Sequence, residues 1–143
     1  MSADPPQPSP SEHDAFVGVV MELLNLTLLQ KDPRVARLLS EQLCHHFHAI
    51  HAVDSLAELR DLIVHIPTDV VVLDMETATL DEVQHLHRDF SSLCIVCTHR
   101  IADEQMWTAV LDAGAADICS ATDSRGIITA AVRHASTSHS AAA

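Results

Sequence analysis

Short apolar runs alternate with segments of helical periodicity along most of the chain. The runs cover residues 26–29, 47–53, 70–73, 93–97 and 116–119. Their continuous apolar character is typical of strands buried on both faces of a parallel sheet. The segments between them carry leucine, valine and isoleucine at helical spacing, and Ser55 with Glu58 and Thr79 with Glu82 form capping-box patterns. The pattern predicts an α/β fold with a doubly wound, five-stranded parallel sheet.

Both ends of the chain differ in composition from this core. Residues 1–14 hold four of the six prolines, and residues 136–143 are rich in serine and alanine, so both are predicted to be disordered tails around a domain at 15–135. Five apolar residues before the first run have helical spacing and predict an extra N-terminal helix, which packs on its own sheet or forms a partner surface. They are Phe16, Val19, Val20, Leu23 and Leu24.

Composition and charge narrow the function classes. The 143 residues are 48% hydrophobic and 20% charged, which fits one globular domain. A net charge of −12 opposes binding to nucleic acid and to anionic membranes. No apolar segment reaches the roughly 20 residues of a membrane span, so a cytoplasmic protein with reduced thiols is expected.

Functional side chains of open parallel sheets lie at the carboxyl ends of the strands. Asp74 ends the run Val-Val-Val-Leu, and Thr98 follows the fourth run. The alternative is that Asp74 is a helix cap or a solvated strand end. The three glycines form no glycine-rich loop, which argues against a nucleotide-binding enzyme.

Residues 26–135 resemble the receiver domain of two-component response regulators. The resemblance is carried by the third run ending at Asp74, the fourth run ending at Thr98, the segment 111–117 with sequence LDAGAAD, and Pro33 after the first run. It implies a flavodoxin-like sheet of order 2-1-3-4-5. It also implies that Asp74 is the phosphoacceptor and that the Thr98 hydroxyl contacts the phosphoryl group.

Several positions depart from the receiver pattern. The acidic pair that helps to hold Mg²⁺ falls on Gln30 and Lys31, and the lysine after the fifth strand falls on Ala121. Lys31 is the only lysine of the chain, so no shift of register restores that ammonium. The aromatic residue of the fifth strand falls on Ile118. Phosphoryl transfer needs neutralisation of charge, and these substitutions remove most of it.

The sequence therefore predicts an atypical receiver that is not an enzyme, needs no cofactor and acts by binding a signalling protein. That partner is a histidine kinase, an output protein or a second copy of the chain in a homodimer. The predicted partner surface comprises Phe16, Val19, Val20, Leu23, Leu24, Trp107 and Ile118.

Two alternatives stay open. In the first, Asp74 is phosphorylated with Mg²⁺ held by Asp74, Asp32 and Glu76, which are the carboxylates near the site. In the second, the histidine-rich segment 44–51 senses a metal ion or pH on the same fold.

Overall fold

The computed structural model describes residues 23–141, with side chains described for residues 23–134. In this range five parallel strands alternate with five helices, and the strand order is β2-β1-β3-β4-β5. The predicted doubly wound, flavodoxin-like sheet is confirmed. In chain order the elements are β1 Asn25–Leu29, α1 Pro33–Leu43, β2 Ala49–Val53, α2 Leu56–His65, β3 Val70–Asp74, α3 Leu80–Asp89, β4 Cys94–His99, α4 Glu104–Asp112, β5 Asp117–Ser120 and α5 Ser124–Ala141.

The central strands are buried on both faces, because helices cover the sheet on either side. Every residue of β3 is buried, and its alternate side chains enter two separate hydrophobic clusters. Cys94 belongs to one cluster and Cys97 to the other, as expected for residues three apart on a strand. Continuous apolar runs were therefore the right signal for a parallel sheet.

Side-chain caps fix where the helices begin. Ser55 accepts a hydrogen bond from Glu58 N at the start of α2, and Thr79 accepts one from Glu82 N at the start of α3, both at 3.2 Å. These bonds confirm Ser55 and Thr79 as N-caps and form one half of each predicted capping box, whereas the Glu58 carboxylate accepts from Asp54 N and the Glu82 carboxylate from Thr79 Oγ1. Asp32 caps α1 by accepting from Arg34 N at 2.9 Å, with Pro33 in the first turn.

The turn into β5 depends on Gly114. Its φ of 110° lies in the region that L side chains rarely adopt, and a Cβ there would overlap the imidazole ring of His87 on α3. This glycine lets α4 end and β5 begin close against α3. The LDAGAAD segment thus places β5 at the edge of the sheet.

The ends of the described range bear on two expectations. Helix α5 extends to Ala141 and so runs into the segment 136–143 that was predicted to be a disordered tail. Alanine is the best helix former, and a serine- and alanine-rich composition does not by itself break a helix. The predicted N-terminal helix lies mostly outside the described residues. None of the helices described is long and apolar enough to cross a membrane.

Candidate functional site

A polar cavity opens at the carboxyl ends of β1 and β3. Its volume is about 310 Å³, and it is lined by Gln30, Lys31, Asp32, Asp74, Glu76 and Thr77. Because β1 and β3 are hydrogen-bonded neighbours, their C-terminal loops meet at this edge of the sheet. The sequence analysis had placed five of these residues near the ends of β1 and β3, and all five line the cavity. They are Gln30, Lys31, Asp32, Asp74 and Glu76. We call it the acceptor cavity.

Asp74 lies at the end of β3 and is 4% exposed. Its carboxylate accepts a hydrogen bond from Thr77 Oγ1 at 3.1 Å and a long one from Glu76 N at 3.4 Å. The turn after β3 is held separately by the Asp74 carbonyl, which accepts from the backbone N–H groups of Thr77 and Ala78. The turn therefore does not require a carboxylate, and Asp74 is neither a helix cap nor a solvated strand end.

Thr98 is the register partner of Asp74 on the neighbouring strand β4. Register partners of parallel strands project from the same face of a sheet, so these two side chains lie on one side. Thr98 is fully buried, and its Oγ1 has no hydrogen-bond partner among the residues described. A buried hydroxyl without a partner costs stability, which marks Thr98 as unusual within this core.

The end of β1 carries the two positions where the receiver pattern has acidic residues. Gln30 is buried, and its Oε1 accepts a hydrogen bond from Asp32 N at 3.0 Å. The side chain of Lys31 is exposed at the rim of the acceptor cavity. Gln30 thus braces the loop between β1 and α1, and neither residue offers a carboxylate.

An ion pair that the sequence analysis missed stands beside the cavity. Arg100 Nε donates to Glu76 Oε1 at 2.6 Å, and His99 Nε2 lies 4.0 Å from the same oxygen. This hydrogen bond raises the pKa of Arg100 above its usual value, and the charge of Asp74 adds to the effect. The only indication of this ion pair in the sequence was that residues 98–100 lie at the end of the strand next to β3. Their pairing with a residue 24 positions earlier was not visible in the sequence.

The predicted magnesium ligands share the cavity without forming a metal site. Within the described range, no group of three histidine, cysteine or acidic residues could hold a metal ion. Glu76 is engaged by Arg100, and Asp32 Oδ1 caps α1. Mg²⁺ requires oxygen ligands in near-octahedral geometry, so the residues present do not fit the ion that receivers use.

Two residues of the predicted partner surface belong to the protein's own core. Ile118 is 8% exposed and packs in a hydrophobic cluster, because β5 is covered on that face. Leu24 is half-buried and packs against the other cluster. Leu23 and Trp107 are exposed, at 72% and 47%. The remaining predicted surface residues, Phe16, Val19 and Val20, lie outside the described residues.

Ala121 occupies the position of the receiver lysine, just after β5. It is buried, and its N–H donates to the carbonyl of His99 at the end of β4. Its methyl side chain offers no charge or hydrogen bond to the neighbouring strand ends. The ammonium that this position supplies in the receiver pattern therefore has no counterpart here.

The cysteine- and histidine-rich segment does not converge on one point. Cys44, His45, His46 and His48 are exposed, and no metal-binding group is found among the described residues. On the strands, burial raises the pKa of the Cys94 and Cys97 thiols to about 12. The structure does not support a metal sensor built on either set of residues.

Solved structures share this fold at low sequence identity. An orphan response regulator of H. pylori is 17% identical with a TM-score of 0.65, over 78% of this chain and 93% of that one. A response regulator of Thermotoga maritima is 12% identical with a TM-score of 0.71, over 79% and 98%. An atypical orphan response regulator is 14% identical with a TM-score of 0.68, over 79% and 96%. No family model and no curated protein matches the chain. The chain has the receiver-domain fold.

Proposed function

We propose that this chain is an atypical receiver module that binds a signalling protein in a two-component pathway, with phosphorylation at Asp74 lost or much weakened. One observation carries the proposal. The buried carboxylate of Asp74 is present at the end of β3, but no salt bridge reaches it within the described part of the chain. Such a module is not an enzyme and needs no cofactor.

Phosphoryl transfer to a carboxylate brings negative charge onto an anion, and cations must neutralise it. Here Gln30 offers an amide that is already engaged with Asp32 N, and Ala121 offers a methyl group. Lys31 is exposed, and Arg100 is bonded to Glu76. This arrangement favours binding of a partner protein over phosphoryl transfer to Asp74.

One solved structure with this fold supports such a role. One of the proteins that share the fold is described as an atypical orphan response regulator with a phosphorylation-independent regulatory mechanism. By analogy, the partner of this chain is a histidine kinase, an output protein or a second copy of the chain. Of the predicted surface, Leu23 and the α4 residue Trp107 are exposed in the described part of the chain and open to such a partner.

A phosphorylation-competent receiver is the second candidate function. It is favoured by the register pairing of Asp74 with Thr98, because side chains of register partners in parallel strands lie on the same face of the sheet. Arg100 would then have to leave Glu76 and supply the missing positive charge. This alternative predicts that Asp74 gains a phosphoryl group when the chain is incubated with a phosphodonor.

Intact-mass spectrometry after incubation with acetyl phosphate and Mg²⁺ separates the two functions. We expect the mass of the chain to stay unchanged while a phosphorylatable receiver domain treated in parallel gains one phosphoryl group. A gain of one phosphoryl group that disappears in Asp74→Asn would refute the proposed function.

A further inference from the structure

We propose that a groove between the N-terminal ends of α3 and α4 binds a basic, amphipathic helix of a protein partner. This inference rests on the proposed function, because it names the chemistry of the partner that the module recognises. The groove shares no lining residue with the acceptor cavity and lies on the face of the sheet that α2, α3 and α4 cover. Its ligand has apolar residues on one face and lysine or arginine on the other.

The groove is an open extension of the hydrophobic core. Its volume is about 460 Å³, and five of its eight lining residues are apolar, namely Met75, Ala78, Leu80, Met106 and Ala109. Ala78 is buried. Met75 and Met106 are half-buried and pack on the cluster beneath the helices, whereas Leu80 is 42% exposed. The groove therefore offers apolar surface to a ligand from outside.

Two of the three polar lining residues are already engaged by the protein's own helices. Asp103 Oδ1 accepts from Met106 N at 2.8 Å, and Thr79 Oγ1 accepts from Glu82 N at 3.2 Å. Both side chains are N-caps, so they fix the two walls of the groove. The lining therefore favours an apolar side chain over a polar ligand.

The walls of the groove are acidic. Residues 75–87 and 101–112 include every lining residue and contain no lysine or arginine. They carry six carboxylates, which are Glu76, Asp81, Glu82, Asp103, Glu104 and Asp112. Arg100 neutralises one of these, Glu76, to which it donates at 2.6 Å. Each helix N-terminus contributes only about half a positive charge, so the field at the groove is negative and attracts a basic ligand.

The same charge argues against this chain as its own ligand. Residues 1–22 carry three of the five apolar residues of the predicted N-terminal helix, but they contain four carboxylates and no lysine or arginine. A second copy of the chain brings a further net charge of −12. Acidic walls repel both, so the ligand belongs to a different protein.

The shape of the groove favours a helical ligand. Helices α3 and α4 contact each other on one face of the sheet, and the groove opens between them. An amphipathic helix presents apolar residues to such a groove at i, i+3 and i+4, and its basic residues then face the acidic walls. The unbranched side chains of Met75 and Met106 adapt to the apolar face of a partner.

Methionine methyl NMR of the full chain tests the inference. Met75 and Met106 line the groove, whereas the other two methionines, Met1 and Met21, precede the described residues and serve as internal controls. The probe is the peptide Ac-AKKLLKALKKLA-amide, which as a helix has leucine on one face and lysine on the other. We expect saturable shifts of the Met75 and Met106 signals with a Kd on the order of 100 μM, and unchanged signals of Met1 and Met21.

Two matched peptides separate the apolar and the charged contributions. Replacing every leucine of the probe by glutamine keeps the charge and removes the apolar face. Replacing every lysine by glutamate keeps the apolar face and reverses the charge. Each change should weaken binding by about tenfold or more. Raising the salt concentration to about 0.5 M should weaken the lysine peptide several-fold, because salt screens exposed charges.

Two variants of the chain locate the binding, and both alter exposed side chains. Leu80→Gln removes an apolar contact of the groove and should weaken the probe about fivefold. Leu38→Gln is its matched control, because Leu38 is 40% exposed on α1, which packs on the other face of the sheet. Glu104→Gln removes a carboxylate of the wall and should weaken the probe about twofold, whereas Glu41→Gln on α1 should not.

Several results would overturn the inference. They are unchanged Met75 and Met106 signals at about 1 mM probe, equal binding of either matched peptide, or full affinity in both Leu80→Gln and Glu104→Gln. A Met21 signal that moves with those of Met75 and Met106 would assign the groove to residues 1–22. Shifts of Met75 and Met106 on dilution without probe would assign it to a second copy.

The acetyl phosphate experiment tests the proposed function separately. If the probe fails while Asp74 stays unmodified, the groove is not a docking site for a basic helix and the proposed function stands. A phosphoryl group on Asp74 refutes the proposed function whether or not the probe binds.

Discussion

The end of β1 and the ends of β3 and β4 meet at one edge of the sheet, but their polar side chains differ in how fully they are hydrogen-bonded. At the end of β1, Gln30 accepts from Asp32 N, and Asp32 in turn caps α1. At the ends of β3 and β4, Thr98 Oγ1 has no partner in the described part of the chain, and Asp74 is only partly satisfied. One region is closed by its own hydrogen bonds, and the other is open.

This difference indicates which departures from the receiver pattern serve the fold. Gln30 stands where a metal-binding carboxylate is expected, and its amide has taken over the bracing of a loop. Asp74 and Thr98 do not serve the fold in this way, because the turn after β3 is held by backbone groups. Buried polar groups without partners reduce stability, and such sites are often functional. Substitutions should therefore have opposite signs in the two regions.

The largest expected effect is at Gln30. Gln30→Ala removes a buried side chain and leaves Asp32 N without its acceptor, so it should lower the free energy of unfolding by about 1–3 kcal/mol. Chemical denaturation monitored by circular dichroism measures the change. Lys31→Ala is the matched control, since this neighbouring side chain is exposed, and it should change stability by less than about 0.5 kcal/mol. Equal effects of the two substitutions would show that Gln30 does not brace the loop.

A smaller loss is expected at Asp32. Asp32→Ala removes the side-chain cap of α1 and should lower stability by about 1 kcal/mol. Ser55→Ala removes the corresponding cap of α2, away from the acceptor cavity, and should cost about the same. If Asp32→Ala instead stabilises the protein, repulsion among the cavity carboxylates outweighs the cap, and the end of β1 is not a closed scaffold.

Local signals predicted the fold well because they act over short distances. The run from Val70 to Leu73 is apolar since helices cover both faces of β3, and the N-cap bonds of Ser55 and Thr79 form within one helical turn. The sequence analysis ended the domain at residue 135, whereas α5 extends to Ala141, because alanine favours a helix even in a serine- and alanine-rich segment. Local patterning thus placed the elements but not every boundary.

The site was predicted as a set of residues and not as a set of contacts. Asp74, Glu76 and Gln30 lie together because parallel strands end at a common edge. The ion pair of Arg100 with Glu76 depends on two loop side chains meeting across neighbouring strands, which no local pattern encodes. Ile118 was assigned to a surface by analogy with an aromatic residue, although an isoleucine at the same position is buried.

The smallest effect, and the one of opposite sign, is expected at Thr98. Thr98→Val replaces a buried hydroxyl without a described partner by a methyl group of nearly the same size. An apolar group avoids the desolvation cost of an unpaired hydroxyl, so the free energy of unfolding should rise by about 0.5–1 kcal/mol. Thr98→Ser keeps the hydroxyl and loses the methyl group, so it should lower stability in the same denaturation assay. A Thr98→Val protein less stable than the unaltered chain would mean that the hydroxyl is already satisfied. In that case the ends of β3 and β4 would be closed in the same way as the end of β1, and the difference between the two regions would disappear.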